Sequence, residues 1–233
     1  MESKIRVLKK IYSVYKAFTA DLDLSCGKGC SFCCTCNVTL TGLEAAYLLD
    51  SLDKDARTRL FETLNRHFPE KRFVPQSTTN QFAELCINGQ EAPQEENDPF
   101  WGTCPLLENK LCTVYRARPF GCRSLISETL CSQTEYARIP PLALTVNNVL
   151  LQYIEHIDCG GIFGNLSDVL SVLSTDRRRQ EFTKADGSFD WIEKQDPRIK
   201  DRLLKSRKIP ALLVPPEHKS EVMPLVKEIS NID

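Results

Sequence analysis

The chain has 233 residues and a formal net charge of −1, with 42% hydrophobic and 26% charged residues, as is ordinary for a globular protein. This near-neutral balance argues against a nucleic-acid or membrane-surface binder, because those proteins usually carry a clear basic excess. No apolar stretch approaches the roughly 20 residues that a bilayer crossing needs. Basic residues interrupt the apolar N-terminal stretch, so we expect a cytoplasmic chain without a signal peptide.

Apolar residues at helical spacing and capping signals predict a chain that is mainly α-helical. The spacing of Ile5, Leu8, Ile11 and Tyr15 predicts the N-terminal helix, and a capping-box pattern predicts that another helix begins at Thr41. In chain order, the predicted helices cover residues 4–19, 41–52, 53–68, 81–86, 140–158, 166–174, 196–206 and 221–229.

A β-hairpin is predicted over residues 104–115, because apolar residues flank the polar turn Glu108-Asn109-Lys110. The expected fold class is therefore mainly α with a small β-hairpin. We expect a cysteine-rich, metal-stapled core domain over residues 1–165 and a helical C-terminal extension over residues 166–233.

Eleven cysteines are the unusual feature of the composition. The number of cysteines is odd, and several lie too close in sequence to pair as disulfides. In a reducing compartment, such a pattern indicates metal binding or catalysis. Two groups stand out, one within residues 26–36 and one within residues 104–122. The candidate metal ligands are Cys26, Cys30, Cys33 and Cys34 in the first group and Cys104, Cys112 and Cys122 in the second, and Cys86, just upstream of the second group, is a candidate to join it.

The two groups can share a metal site only if the chain folds back through the helices between them. The hairpin is expected to bring the sulfurs of Cys104 and Cys112 together. Cys33 and Cys34 are adjacent, and neighbouring side chains diverge in most backbone conformations. We therefore expect these two sulfurs to serve two different metals, or only one of them to be a ligand.

The bunching of the cysteines favours an iron–sulfur cluster, because glycines between them let backbone N–H groups point at sulfur. Structural zinc is the nearest alternative, since eight thiolates can form two sets of four. A cluster held by four thiolates is anionic, so Lys28, Arg118 and Arg123 are expected to offset its charge. For Arg118 and Arg123, contact with an anionic substrate is a further hypothesis, and a structural pairing with a carboxylate or a carbonyl is an equal alternative to it.

Four motifs follow one another between residues 26 and 123. They are Cys26-x3-Cys30-x2-Cys33-Cys34, Val38-Thr39-Leu40-Thr41-x2-Glu44, Cys104-Pro105-Leu106-Leu107 with Cys112-Thr113-Val114-Tyr115, and Arg118-Pro119-x2-Cys122-Arg123. In this combination the chain resembles the CxxCxxCC (YkgJ-like) family of zinc- or iron-chelating proteins, although its first gap holds three residues instead of two. The resemblance implies eight metal-ligating cysteines, which are matched here by Cys26, Cys30, Cys33, Cys34, Cys104, Cys112 and Cys122, with Cys86 as the eighth. Flagellin lysine N-methylase looks like a distant relative, which implies protein methylation as an alternative activity.

Cys26, Cys30 and Cys33, with Phe32 just before the last, also resemble the loop of radical-SAM enzymes. In such enzymes three thiolates hold a [4Fe–4S] cluster and the fourth iron binds S-adenosylmethionine. The helical patterns that follow Cys36 do not fit the partial barrel of that family, so the local match carries little weight.

Three functions remain open from the sequence. They are a metal- or cluster-binding protein, a metal-dependent enzyme such as a methyltransferase, and a zinc-stapled module whose helical C-terminal part binds a protein partner. The sequence has no Ser–His–Asp set, phosphate loop or dinucleotide motif, so an enzyme would have to work through its metal. Outside the two groups, Cys131 and Cys159 are expected to be buried as small hydrophobes.

Overall fold

The computed structural model describes residues 1–27 and 29–230, which form a mainly α-helical fold with small antiparallel sheets. The α-helices are α1 (Glu2–Ala20), α2 (Gly42–Asp50), α3 (Lys54–Arg66), α4 (Thr79–Ile87), α5 (Phe120–Arg123), α6 (Cys131–Thr134), α7 (Pro141–Ile157), α8 (Leu166–Val172), α9 (Asp176–Lys184), α10 (Phe189–Gln195) and α11 (Lys219–Ser230). The strands are β1 (Thr39–Thr41), β2 (Leu107–Glu108), β3 (Leu111–Cys112), β4 (Ile162–Asn165) and β5 (Leu203–Lys205). Among these helices, none is both long and apolar enough to cross a membrane.

Side-chain caps fix the starts of several predicted helices. The Thr41 hydroxyl accepts from the Glu44 N–H at 3.2 Å, and the Glu44 carboxylate accepts from the Thr41 N–H at 3.0 Å. The predicted capping box of α2 is thereby confirmed. Asp53 caps α3 by accepting from the Ala56 N–H at 2.8 Å. Pro141 occupies the first turn of α7, where its missing N–H costs nothing.

A three-stranded antiparallel sheet, in the order β1-β4-β5, joins segments that are far apart in sequence. Leu40 lies opposite Gly164, and Gly164 lies opposite Leu203. Residues 196–206 were predicted as one helix, and that prediction is wrong: a short 3-10 turn is followed there by β5. Leu203 is buried against Gly164, where a Cβ atom would overlap its side chain, so packing outweighs the local helical signal.

Apolar side chains form two cores. One lies between α1, α7 and α11, and the other lies between the sheet and helices α2, α3 and α8. The segment after residue 165 takes part in both, because β5 pairs with β4 and α11 packs against α1. The division into domains at residues 165 and 166 stays a prediction.

Asp158 is a fully buried carboxyl group at the C-terminal end of α7. Its Oδ2 accepts from the Leu43 N–H at 3.2 Å, whereas its Oδ1 has no hydrogen-bond partner among the described residues. Burial raises the pKa of Asp158 well above its ordinary value of 3.8, although the Leu43 N–H and the charge of Lys4 oppose this shift.

Replacing Asp158 with asparagine should make stability less dependent on pH. A raised folded-state pKa means that the contribution of Asp158 is full below its ordinary pKa and is lost as the pH rises through the raised value. Since a pKa difference of one unit corresponds to about 1.4 kcal/mol, D158N should gain at least about 1 kcal/mol of unfolding free energy relative to wild type as the pH rises from about 4.5 to about 8. Urea unfolding at both pH values checks this, with the exposed Asp50→Asn as control. A constant or falling difference would contradict it.

Candidate metal centre

A short backbone ladder joins the two cysteine groups. The Cys104 N–H donates to the Cys34 carbonyl at 2.9 Å, and the Cys36 N–H donates to the Gly102 carbonyl at 2.9 Å. Between these bonds, Thr35 forms an antiparallel bridge with residue 103. The loop of the first group therefore runs beside the segment that leads into the second, and the structure brings the two groups together at Cys34 and Cys104.

The predicted hairpin is present as β2 and β3, with Leu107 opposite Cys112. Asn109 and Lys110 both have positive φ, at 50° and 62°, as the commonest tight hairpin turn requires. The hairpin follows Cys104 directly and ends on Cys112. Its short turn therefore keeps both cysteines in one compact unit.

Backbone N–H groups point at two of the sulfurs. The Leu106 N–H donates to the sulfur of Cys104, and the Val114 N–H donates to the sulfur of Cys112. In both cases the donor lies two residues after the cysteine, and in both cases the bond lowers the thiol pKa against the larger effect of burial. These donors favour the thiolate, which is the form that binds metal.

Cys122 reaches the same region from α5. The first N–H of that helix, on Phe120, donates to the buried Glu44 carboxylate at 2.7 Å, which ties α5 to the start of α2. The helix also lies close to β1: a Cβ atom on Gly121 would be 3.0 Å from the carbonyl oxygen of Thr39. These contacts hold Cys122 at the edge of the core that contains the sheet.

The thiols of Cys34, Cys104, Cys112 and Cys122 lie close enough to affect one another's ionisation. The pKa of Cys104 is raised to about 11 and that of Cys122 well above its ordinary value, with burial as the main cause and the charges of neighbouring thiolates as a further contribution. The other three thiolates also act to raise the pKa of Cys34. Four thiolates this close repel one another, so the charged state is costly unless a cation offsets it.

Cys33 and Cys34 do not diverge as expected. The Cys33 thiol donates to the Cys34 sulfur, and this bond is the main reason that the pKa of Cys33 is raised and that of Cys34 lowered. Tight turns explain the approach: the Cys34 N–H donates to the Ser31 carbonyl at 3.0 Å, and the Thr35 N–H donates to the Cys33 carbonyl at 3.0 Å. The adjacent sulfurs therefore stand side by side.

Arg118 supplies positive charge between the cysteine groups. Its guanidinium lies 4.3 Å from the ring centre of Tyr115, and its Nε is buried without a hydrogen-bond partner among the described residues. Its charge acts to lower the pKa of Cys33, Cys112 and Cys122, against larger effects that raise it. Arg118 is thus placed to offset the charge of a thiolate-bound metal.

Arg123 has a different role. Its guanidinium donates to the carbonyls of Arg118 at 2.9 Å and Arg116 at 2.8 Å, and lies 4.2 Å from the ring centre of Tyr12. Pairing with carbonyls was one of the alternatives that the sequence offered for Arg123. These hydrogen bonds fix the backbone of the segment that carries Arg118. Lys28, the third predicted cation, lies outside the described residues.

The remaining cysteines occupy varied positions. Cys26 and Cys30 are exposed on the first loop. Cys86 is exposed on α4, a helix that packs against α7, and it is not among the main influences on the pKa of the clustered thiols. Cys131 is buried as predicted, but it also raises the pKa of Cys26, which no pattern in the sequence had indicated. Cys159 is exposed, so its predicted burial is wrong.

Within residues 1–27 and 29–230, no three cysteine, histidine, aspartate or glutamate side chains are arranged tightly enough around one point to hold a metal ion. The geometry therefore consists of converging segments with neighbouring thiols. Comparisons of the chain with protein-family models, with curated proteins and with solved structures found no match. The resemblance to the CxxCxxCC (YkgJ-like) family stays a prediction.

Proposed function

We propose that the chain is a cysteine-ligated metal-binding protein that holds an iron–sulfur cluster between its two cysteine groups. The first site of this proposal consists of Cys34, Cys104, Cys112 and Cys122. One observation carries it: four thiols from three separate segments lie within electrostatic range of one another. Without a metal, most of these thiols stay protonated because their thiolates would repel one another, whereas a bound cation attracts all four thiolates and offsets that repulsion.

The donor set defines the class of metal. Thiolates select soft or borderline metals, which leaves iron–sulfur clusters and zinc as the main candidates. Bunched cysteines with backbone N–H groups aimed at sulfur are typical of cluster sites, because such bonds offset the negative charge of the cluster. The alternative is zinc held by a closed set of four thiolates. In that case the metal would stabilise the fold of a module that binds a protein partner.

The chain's own residues prepare the thiolates. Each ligand must lose its proton before it binds metal, and the raised thiol pKa values make this loss costly. The N–H donors of Leu106 and Val114 and the charge of Arg118 reduce that cost. When bound, an iron–sulfur cluster would supply electron transfer or Lewis-acid chemistry at this point of the fold.

Metal analysis of protein purified without oxygen tests the proposal. We expect iron and acid-labile sulfide in similar amounts, together with a broad visible absorbance. Colourless protein that contains stoichiometric zinc would support a thiolate metal site but would contradict an iron–sulfur cluster. Protein that retains neither metal, even after reconstitution with iron and sulfide, would contradict the proposal as a whole. Tight binding of S-adenosylmethionine would favour a methyltransferase instead.

Replacing Arg118 with glutamine should weaken metal retention without removing a ligand. The loss of its charge makes deprotonation of Cys112 and Cys122 more costly. A supporting residue of this kind typically changes metal affinity by about tenfold or more, so the metal should be lost about tenfold more readily to a chelator. Arg116→Gln, which removes an exposed charge nearby, is the matched control. Equal retention in both variants would show that Arg118 does not support the metal.

A further inference from the structure

We propose a second site, separate from the first, in which Cys26, Cys30, Cys33 and Cys131 form another set of four thiolate ligands. This inference rests on the proposed function for its metal chemistry but uses none of the ligands of the first site. It also replaces Cys86 with Cys131 as the eighth ligand of the chain.

The segment that carries Cys26 is bound to the chain just before Cys131. The Ser25 N–H donates to the Ser127 carbonyl at 2.9 Å, and the Ser25 hydroxyl donates to the Glu128 carbonyl at 2.8 Å. The sulfur of Cys26 lies 4.0 Å from the carbonyl oxygen of Ser127. These contacts bring residues that are about 100 positions apart side by side, although neither segment belongs to a regular sheet.

A closed loop holds Cys131 in place. The Glu128 N–H donates to the Arg138 carbonyl at 2.9 Å, and the Ser127 hydroxyl accepts from the N–H groups of Arg138 at 2.9 Å and Thr129 at 3.2 Å. Cys131 begins α6 inside this loop and is buried. The loop therefore holds the Cys131 thiol in a fixed position next to the exposed loop of the first cysteine group. A buried ligand in such a position can anchor a metal that lies near the surface.

The other three thiols lie within electrostatic range of Cys26, whose segment is bound beside the loop of Cys131 by the hydrogen bonds of Ser25. Burial is the main cause of the raised pKa of Cys26, and the thiolates of Cys30, Cys131 and Cys33 contribute to the rise. A turn from the Gly27 carbonyl to the Cys30 N–H, at 3.1 Å, curves the first loop around this point. Cys33 lies at the boundary between the two sites, because a hydrogen bond links its thiol to that of Cys34.

The second site is closed, which separates it from radical-SAM chemistry. Three cysteines of the first loop alone would leave one iron open for S-adenosylmethionine. Cys131 supplies a protein thiolate for that position, and a site without an open position serves structure or electron transfer. We therefore expect the wild-type chain to bind two metal centres and to show no cluster-dependent binding of S-adenosylmethionine.

The test compares the full-length Cys131→Ser and Cys159→Ser variants, purified without oxygen, by metal content and by alkylation with mass spectrometry. Cys159 is an exposed cysteine outside both sites and serves as the matched control. We expect C131S to retain about half of the wild-type metal and C159S to retain all of it. Cys26 and Cys30, although exposed in the structure, should resist alkylation in wild type and become labelled in C131S.

The outcomes separate this inference from the proposed function. Full metal content in C131S, with Cys26 still protected, would overturn the second site while leaving the first intact. A wild-type chain without metal would overturn both. If C131S fails to fold, Cys104 will also become labelled, and Cys30→Ser then replaces it as the test because Cys30 is exposed and its change leaves the core intact. C30S must lose about half of the metal; full retention would contradict the second site.

Discussion

Replacing Cys122 with serine is expected to empty the first metal site and to destabilise the fold. Cys122 is held at the edge of a core and its thiol lies among those of Cys34, Cys104 and Cys112. A hydroxyl at that position ligates soft metals poorly and is left as a polar group in an apolar setting. We expect loss of at least nine-tenths of the metal of that site and of about 3 kcal/mol of unfolding free energy.

Cys36→Ser is the matched control for this prediction. Cys36 is also buried, and its thiolate contributes to the raised pKa of Cys104, but its own sulfur contacts the Asn37 side chain at 3.4 Å and the Lys71 carbonyl at 3.5 Å. A serine hydroxyl can donate to either oxygen, so we expect full metal content and a change below about 1 kcal/mol. Metal analysis and urea unfolding measure both effects. If C122S holds as much metal as C36S, Cys122 is not a ligand.

The Glu44→Ala variant should show the largest loss of stability among single changes that remove no cysteine. Glu44 is only 2% exposed, and its carboxylate accepts from the Tyr12 hydroxyl at 2.9 Å, the Phe120 N–H at 2.7 Å and the Thr41 N–H at 3.0 Å. The alanine variant leaves these donors without partners and opens a cavity. Each buried, unsatisfied group costs about 1–3 kcal/mol, so we expect a loss of about 4 kcal/mol.

The same variant should also weaken the first site, because Glu44 fixes the start of the helix that carries Cys122. The exposed Glu62→Ala, on α3, is the control and should stay within about 0.5 kcal/mol of wild type. Thermal or urea unfolding gives the stability, and metal retention against a chelator reports on Cys122. A loss of less than about 1 kcal/mol in E44A would contradict the role of Glu44 as the link between α1, α2 and α5.

Local signals in the sequence predict much of the helical fold. The capping box at Thr41 and the cap at Asp53 fall where the sequence places them, since both depend on residues three positions apart. The hairpin that ends on Cys112 follows from its short polar turn. The sheet does not: β1 has three residues and pairs with Asn165 and its neighbours, and such distant pairing leaves no local pattern.

For the candidate site too, the sequence predicts local features but not contacts between distant segments. The bunched cysteines indicate metal chemistry because ligand spacing is a local property. The place of Cys131 beside Cys26 depends on hydrogen bonds between segments about 100 residues apart, so the sequence indicates only burial for Cys131. For Arg123, the carbonyl partners lie nearby in sequence on Arg118 and Arg116, whereas the contact with the Tyr12 ring is long-range and leaves no local pattern.

X-ray absorption at the metal edge, on protein purified without oxygen, tests the central claim most directly, because it reports the atoms bound to the metal. We expect a first shell of sulfur alone at about 2.3 Å, with an iron–iron shell when the centre is a cluster. A first shell that contains nitrogen or oxygen ligands from histidine or carboxylate, or protein that holds no metal, would contradict a centre built from the converging cysteine thiolates.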